Sequence, residues 1–260
     1  MANDFSQDSN CKALWNFESG AVPFLADSKG TNTILHNYGV AEDTNNYKQG
    51  SCSAFFVKAE SDRMLLQDTE LDAGFPLRSD AEHTTFSFAF WIRLTAIDTV
   101  HNFLTKGTGG AVECVKISVD SSNHMDLAVS ANGSAYSHYV HASVLADAIW
   151  YHCVVTHNDA DDAYRIRIWD DDAQEILGSD KTGNTVTPFL GDGNFILGYA
   201  NTTTLDGNLD EFISFDDVLT VDEIDQISAG TYGGAPPSQT VLDYERKTRG
   251  VARGVCRGAA

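Results

Sequence analysis

Residues 84–94, TTFSFAFWIRL, place Phe86, Phe88, Phe90, Ile92 and Leu94 on one face and Ser87, Ala89, Trp91 and Arg93 on the other. Only an extended chain has this period of two. A strand carrying five large apolar side chains on one face must bury that face against a second layer. Shorter segments of the same kind recur along the chain, at 12–17, 53–57, 102–106, 112–119, 125–130, 137–141, 195–198 and 212–215. Segments 151–156 and 164–169 are predicted to form a hairpin around the acidic loop 158–163. Long helical patterns are absent. About a dozen strands with few helices predict two stacked antiparallel sheets. One short helix is expected near the C-terminus, where Thr220 and Glu223 form a capping box and Gly230 is placed to end the helix.

Several local patterns occur in a telling order. They are Leu14-Trp15-Asn16-Phe17-Glu18, Ala26-Asp27-Ser28-Lys29-Gly30, Phe86-Ser-Phe-Ala-Phe-Trp91, Trp150-Tyr151-His152 and Leu209-Asp210-Glu211. Together, over about residues 12–229, they resemble the laminin G-like jelly rolls of the concanavalin A-like lectin and glucanase superfamily. The resemblance implies an all-β fold, a concanavalin A-like jelly-roll β-sandwich of two antiparallel sheets with a short C-terminal helix and a basic arm. One departure stands out: after the Trp-x-His hairpin the family usually turns on Tyr-x-Asp-Gly. Here Ile168-Trp169-Asp170-Asp171-Asp172 has no glycine, so that turn must be built differently.

Three segments are expected: an N-terminal arm at 1–10, the jelly-roll domain at 11–234, and a proline-linked basic arm at 235–260. The chain carries 37 acidic against 17 basic residues, a formal net charge of −20. Clustered Lys and Arg are what phosphate contacts require, so the acidic body is not expected to bind nucleic acid. The tail reverses the sign. Residues 241–260 hold Arg246, Lys247, Arg249, Arg253 and Arg257 against Asp243 and Glu245, leaving a net −23 for residues 1–240. Pro236 and Pro237 favour an extended link to it. Such an arm is either a flexible tail or a device that docks on an acidic neighbour, including another copy of the body.

The N-terminal residues lack a basic segment followed by an apolar run, so no secretory signal peptide is expected. No apolar stretch approaches the roughly 20 residues that span a bilayer. The five cysteines, Cys11, Cys52, Cys114, Cys153 and Cys256, are widely spaced with no CxxC. Buried free thiols are expected, with a Cys11–Cys52 bridge as the alternative.

The superfamily contains glucanases, which resemble each other in a Glu-x-Asp-x-x-Glu strand supplying the nucleophile and the acid. Segments starting at Glu60, Glu70 and Glu223 match its first half and lack the final Glu. No Gly-x-Ser-x-Gly or phosphate-binding loop occurs. His138 and His141, three apart on a strand, would face opposite sides, which is wrong for a shared metal.

Calcium wants several oxygen ligands on turns. In laminin G-like domains a structural calcium often joins the Asp-Ser-x-Gly loop to the closing Asp-Glu strand, and this resemblance names Asp27, Asn32 and Asp210 for one structural Ca2+. For sugar binding, aromatic platforms beside polar loop groups name Tyr136, Tyr139, Tyr199, Asn201 and Asp206.

The expected function is a non-enzymatic binding or structural module. Its leading form is a virion-associated decoration or tail adhesion protein of a phage or virus, assembled in host cytoplasm and held to sister subunits or other virion proteins by the C-terminal arm. The alternatives are a carbohydrate-binding adhesin of a bacterial surface and a polysaccharide-active enzyme.

Overall fold

The computed structural model describes residues 3–19, 24–82, 84–107 and 113–233. The basic arm, with Arg246, Lys247, Arg249, Arg253 and Arg257, lies outside the described residues. In chain order the strands are β1 (Cys11–Trp15), β2 (His36–Tyr38), β3 (Ala41–Asp43), β4 (Ser53–Phe56), β5 (Arg63–Leu66), β6 (Phe86–Leu94), β7 (His101–Lys106), β8 (Val115–Val119) and β9 (His124–Ser130). They continue as β10 (Tyr136–Val144), β11 (Trp150–Asn158), β12 (Ala163–Asp170), β13 (Glu175–Ile176), β14 (Lys181–Asn184), β15 (Phe195–Leu197), β16 (Tyr199–Ala200), β17 (Thr203–Thr204) and β18 (Gly207–Phe215), before helix α1 (Val221–Ser228).

Two large antiparallel sheets stack as a jelly-roll sandwich. One has nine strands in the order β13-β12-β11-β6-β18-β4-β3, with β1 beside β18 and β14 beside β12. The other has seven, in the order β10-β9-β8-β7-β15-β5-β2. The predicted apolar face of β6 is fully used: Phe86, Phe88, Phe90, Ile92 and Leu94 all lie in the core between the sheets. Phe90 stacks on Phe212 of β18 at 5.4 Å, and Trp15 packs on Phe195 and Phe212 at 5.8 and 5.7 Å. A second apolar cluster lies on the other face of the nine-stranded sheet. There Ala89, Val154 and Ile213 are covered by Ile224 and Ile227 of α1 and by Phe5.

That second cluster holds part of the expected N-terminal arm. Within residues 3–10 Phe5 is buried, whereas Asp4, Ser6, Gln7, Ser9 and Asn10 are exposed. Phe5 stacks on Tyr232 at 5.0 Å, Asp4 N–H donates to the Tyr232 carbonyl, and the buried aromatic ring ties the segment to the sheet. Helix α1 has the predicted capping box at Thr220 and Glu223, and Gly230 follows its end with φ of +70°.

The turn without glycine is closed by other means. Asp170 Oδ1 accepts the N–H groups of Asp172 and Ala173, and Gln174 takes the left-handed position at φ +56°. β18 starts at Gly207, five residues before the expected strand at 212. One of its edges pairs with β6, and the other changes partner. Gly207 to Leu209 bond to β4, whereas Phe212 to Phe215 bond to β1. At the changeover the register with β6 shifts between Asp210 and Ile213, and Glu211 takes a φ of +48°. This bulge opens a gap between β1 and β4.

Candidate functional site

Two sites follow from this topology: an acidic notch at the bulge, and a groove on the outer face of the seven-stranded sheet.

At the notch, both carboxyls of the Asp210-Glu211 pair turn inward. Asp210 Oδ2 accepts the N–H groups of Lys48 at 2.7 Å and Gln49 at 3.1 Å, and Oδ1 accepts that of Glu211 at 2.9 Å. Glu211 receives one bond, from the Asn16 side-chain amide at 3.2 Å. Glu18 lies opposite, held by the N–H and hydroxyl of Ser51 and pressed against Gly50. Gly50 has φ +70°, and a Cβ there would overlap the Glu18 carboxylate. Burial, opposed by three backbone bonds, pushes Asp210 up to about 7. Burial and the neighbouring Asp210 push Glu211 up to about 8. Asn16, Glu18, Gln49, Gly50 and Glu211 help to line a cavity of about 210 Å3 here.

Of the metal candidates, Asp27 and Asn32 are joined by a hydrogen bond, whereas Asp210 lies at the notch. Both Asp27 oxygens are taken by N–H donors, from Leu14 and Lys29 on one and from Asn32 on the other. The Asn32 side-chain oxygen accepts the Asp72 N–H. Asp27 therefore pins the turn to β1, as an aspartate after a first strand does. Asp210 shares no hydrogen-bond partner with either. Among the described residues no three His, Cys, Asp or Glu side chains are grouped to hold a metal.

The notch gathers a different set of oxygens. Glu18 keeps its oxygens on the Ser51 N–H and hydroxyl, Glu211 is held toward its protonated form by burial, and the buried side-chain oxygen of Asn16 has no partner among the described residues. Two carboxylates, an amide oxygen and water are the donors calcium takes. Glu18 and Glu211 sit in two of the quoted motifs, yet the sequence did not mark either as a ligand.

The groove arises from cross-strand register. His36, Leu65, Ile196, Thr105, Lys116, Ala128 and His138 are successive partners across β2, β5, β15, β7, β8, β9 and β10. Their chain neighbours, such as Met64, Leu66, Phe195 and Ile117, fill the core. This row therefore faces outward.

The β16–β17 hairpin folds over β7, where the Asn102 side-chain amide donates to the Thr203 carbonyl at 3.1 Å. Between the hairpin and the row lies a cavity of about 190 Å3, whose lining includes Arg63, Leu65, Thr105, Asn194, Ile196, Tyr199 and Asn201. The Arg63 guanidinium carbon lies 4.2 Å from the centre of the Tyr38 ring and 5.2 Å from that of Tyr199. Thr105 at the floor is 4% exposed, and its hydroxyl has no partner among the described residues.

Of the five sugar-binding candidates, Tyr199 and Asn201 line this groove. Asn201 donates to Glu113 at 3.0 Å. Tyr136 lies on the same outer face, with the Lys116 ammonium 5.3 Å from its ring centre. Tyr139 turns the other way: its hydroxyl accepts the Val186 N–H and its ring packs on Tyr164. Asp206 stands apart, joined through its backbone to Thr95 and His101. His138 is bonded to Asp126 while His141 is buried, on opposite faces as the spacing requires. Arg63, Tyr38, Thr105 and Asn194 were not singled out in the sequence. One signal was available: Arg63 precedes Met64-Leu65-Leu66 in an apolar run that alternates in and out.

Residues 69–225 match the model of a family described as the concanavalin A-like lectin/glucanases superfamily. No curated protein matches. Among solved structures, the chain is similar to the binding domain of Paraclostridial Mosquitocidal Protein 1, with 14% identity and a TM-score of 0.61 over 84% of this chain and 51% of that one. It is also similar to domain 4 of AbnA, a GH43 extracellular arabinanase from Geobacillus stearothermophilus, in complex with arabinotriose. There the identity is 14% and the TM-score 0.55, over 85% of this chain and 98% of that domain. The binding domain of Botulinum Neurotoxin DC in complex with SialylT matches at 12% identity and a TM-score of 0.55, over 86% and 52%. The chain thus spans about half the length of the two toxin binding domains. At these identities the likeness is one of fold.

Proposed function

The chain belongs to the concanavalin A-like lectin/glucanase superfamily, and on that premise we propose that it is a non-enzymatic glycan-binding module. The observation that carries this reading is the groove. Tyr199 supplies an aromatic wall, Leu65 and Ile196 an apolar floor, and Asn194, Asn201 and Thr105 polar groups beside them. That is the mixture a sugar needs, with an apolar ring face and a rim of hydroxyls. The arabinanase domain and the botulinum toxin domain are described with arabinotriose and SialylT, which supports the capacity of this fold to carry such a groove.

The non-enzymatic part rests on how the carboxylates are used. Glu70 accepts Gln67 N–H and bonds to His36, Asp72 holds Thr31, and Asp225 pairs with Arg167. Each half-matched glucanase motif thus has at least one carboxylate committed to a structural bond, Asp62 included, which accepts Val57 N–H.

One Ca2+ belongs to this proposal as a structural element. Glu18, Glu211 and the Asn16 side-chain oxygen would hold it in the notch. When bound it offsets the charge of carboxylates that this chain buries side by side, and it ties β1 to β18.

Glycan-array screening of the full chain, with calcium and with chelator, tests the reading. Saturable binding that falls on Tyr199→Ala is the expected result. Absence of binding to any glycan under both conditions would overturn it.

A further inference from the structure

We propose that the groove selects carboxylate-bearing sugars, and that Arg63 is the residue that reads the carboxylate. This rests on the glycan-binding reading above and adds the ligand class and the specificity determinant.

The chain carries 20 more negative than positive formal charges, so an arginine here has many carboxylates to pair with. Among the described residues Arg78, Arg165 and Arg167 each do so, whereas Arg63 and Arg93 do not. Among the described residues Arg63 has no carboxylate within the 4 Å of an ion pair. It is placed by two tyrosines: Tyr38 is its register partner across β2 and β5, and Tyr199 approaches from the β16–β17 hairpin. Its one side-chain hydrogen bond among the described residues is from Nη1 to the Ser61 carbonyl at 3.1 Å. The remaining N–H groups of its planar fork are uncommitted at the edge of the cavity. A guanidinium held by stacking has little rotational freedom left to lose, and its fork matches a carboxylate in a two-point contact.

The rest of the groove fits the body of such a sugar. Thr105 offers an unpartnered hydroxyl at the floor, and Asn194, also on the lining, has no side-chain bond among the described residues. Leu65 and Ile196 give an apolar patch for ring carbons. A neutral sugar would leave the Arg63 fork facing water. A carboxylated one, whether a sialic acid or a uronic acid, completes it.

Titration calorimetry on the full chain tests this with sialyllactose, a glucuronic-acid-terminated oligosaccharide, their carboxyl-reduced forms and lactose. At least one acidic ligand is expected to bind tenfold or more tightly than its reduced form, and to weaken as salt rises. Whichever acid binds identifies the source of the carboxylate. Arg63→Gln should lose that tenfold preference, and Arg63→Lys should keep part of it. Ligand reduction removes the carboxylate without touching the protein, so a folding defect in a variant leaves the test intact. Equal binding of acidic and reduced forms, or an unchanged preference in Arg63→Gln, would overturn the assignment while leaving glycan binding in place. If neither acidic nor neutral glycans bind, the glycan-binding reading falls and takes this inference with it.

Discussion

Asp210 and Glu211 are neighbours in sequence whose carboxyls are both buried, because the bulge in β18 turns successive side chains toward the same gap between β1 and β4. In an unbroken strand they would point to opposite faces. The bulge is thus what makes the notch, and a positive φ at Glu211 is part of its cost.

This arrangement fixes a pH dependence. Both groups sit above their ordinary values of 3.8 and 4.5, at about 7 and about 8. The folded protein therefore binds more protons than the unfolded chain between about pH 4 and pH 8, and stability falls as pH rises through that window. Thermal unfolding in chelator should show a melting temperature that drops from pH 5 to pH 8.5, with a shallower drop in Glu211→Gln. Added calcium should raise the melting temperature at pH 8 much more than at pH 5. A flat profile in chelator would remove the basis for the notch as a cation site.

The extent to which these sites could be foreseen differs by residue. Phe86 to Leu94 announced itself because nine residues alternate without a break, and the core follows from it. The short strands β2, β3, β13, β14, β16 and β17, of two to four residues, carry too few positions for a period to show. The start of β18 was missed because Asp206 to Glu211 is polar and contains glycine. Its extended form comes from pairing with β6 and β4 on both sides, which is a tertiary effect. Tyr199 and Asn201, named together in the sequence because they are close in the chain, both line the groove. Arg63, Tyr38 and Thr105 join them only through strand register, to which local spacing gives no access. Asp27 illustrates the converse: its motif was visible, but its oxygens are used by the turn itself.

The described cysteines predict chemical silence. Cys11, Cys52, Cys114 and Cys153 are buried free thiols, and the expected alternative of a Cys11–Cys52 bridge is not formed. Burial raises Cys11 and Cys114 to about 12 and Cys153 well above its ordinary value. Because the thiolate is the reactive form, these four should not react with a thiol reagent in the native state. A native count of at most one thiol, assignable to Cys256, is expected, rising to five in denaturant. Rapid native labelling of Cys114 by peptide mapping would contradict the packing described.

Gly198 links stability to the groove. Its φ of +84° disfavours any side chain, and a Cβ there would lie 2.2 Å from the Phe56 ring. It also delivers the chain from β15 to Tyr199. Gly198→Ala is expected to cost about 1–3 kcal/mol, from strain and displaced packing. Since the relief of strain must move the β16–β17 hairpin, glycan affinity should fall more than in a core variant of equal instability such as Ile117→Val. Urea unfolding paired with calorimetry on both variants separates the two effects. Equal affinity in both would mean that the hairpin does not shape the groove.

Lys106 and Asp68 form a buried ion pair at 2.7 Å, with the lysine 0% and the aspartate 6% exposed. The lysine also donates to the carbonyls of Gly191 and Gly193, and the aspartate accepts the Ser79 N–H and hydroxyl. Every donor and acceptor is thus answered, which is the condition under which a buried pair is tolerated. Removing one member strands the other. Lys106→Met and Asp68→Asn should each cost about 3–5 kcal/mol in urea unfolding. The double variant should cost less than the sum of the two, because no unpaired charge is left behind. The pair pins the loop at 191–193, next to Asn194 of the groove, to the end of β7. Single variants that still fold should therefore bind glycan more weakly, and additive single and double costs would show that the two charges do not depend on each other.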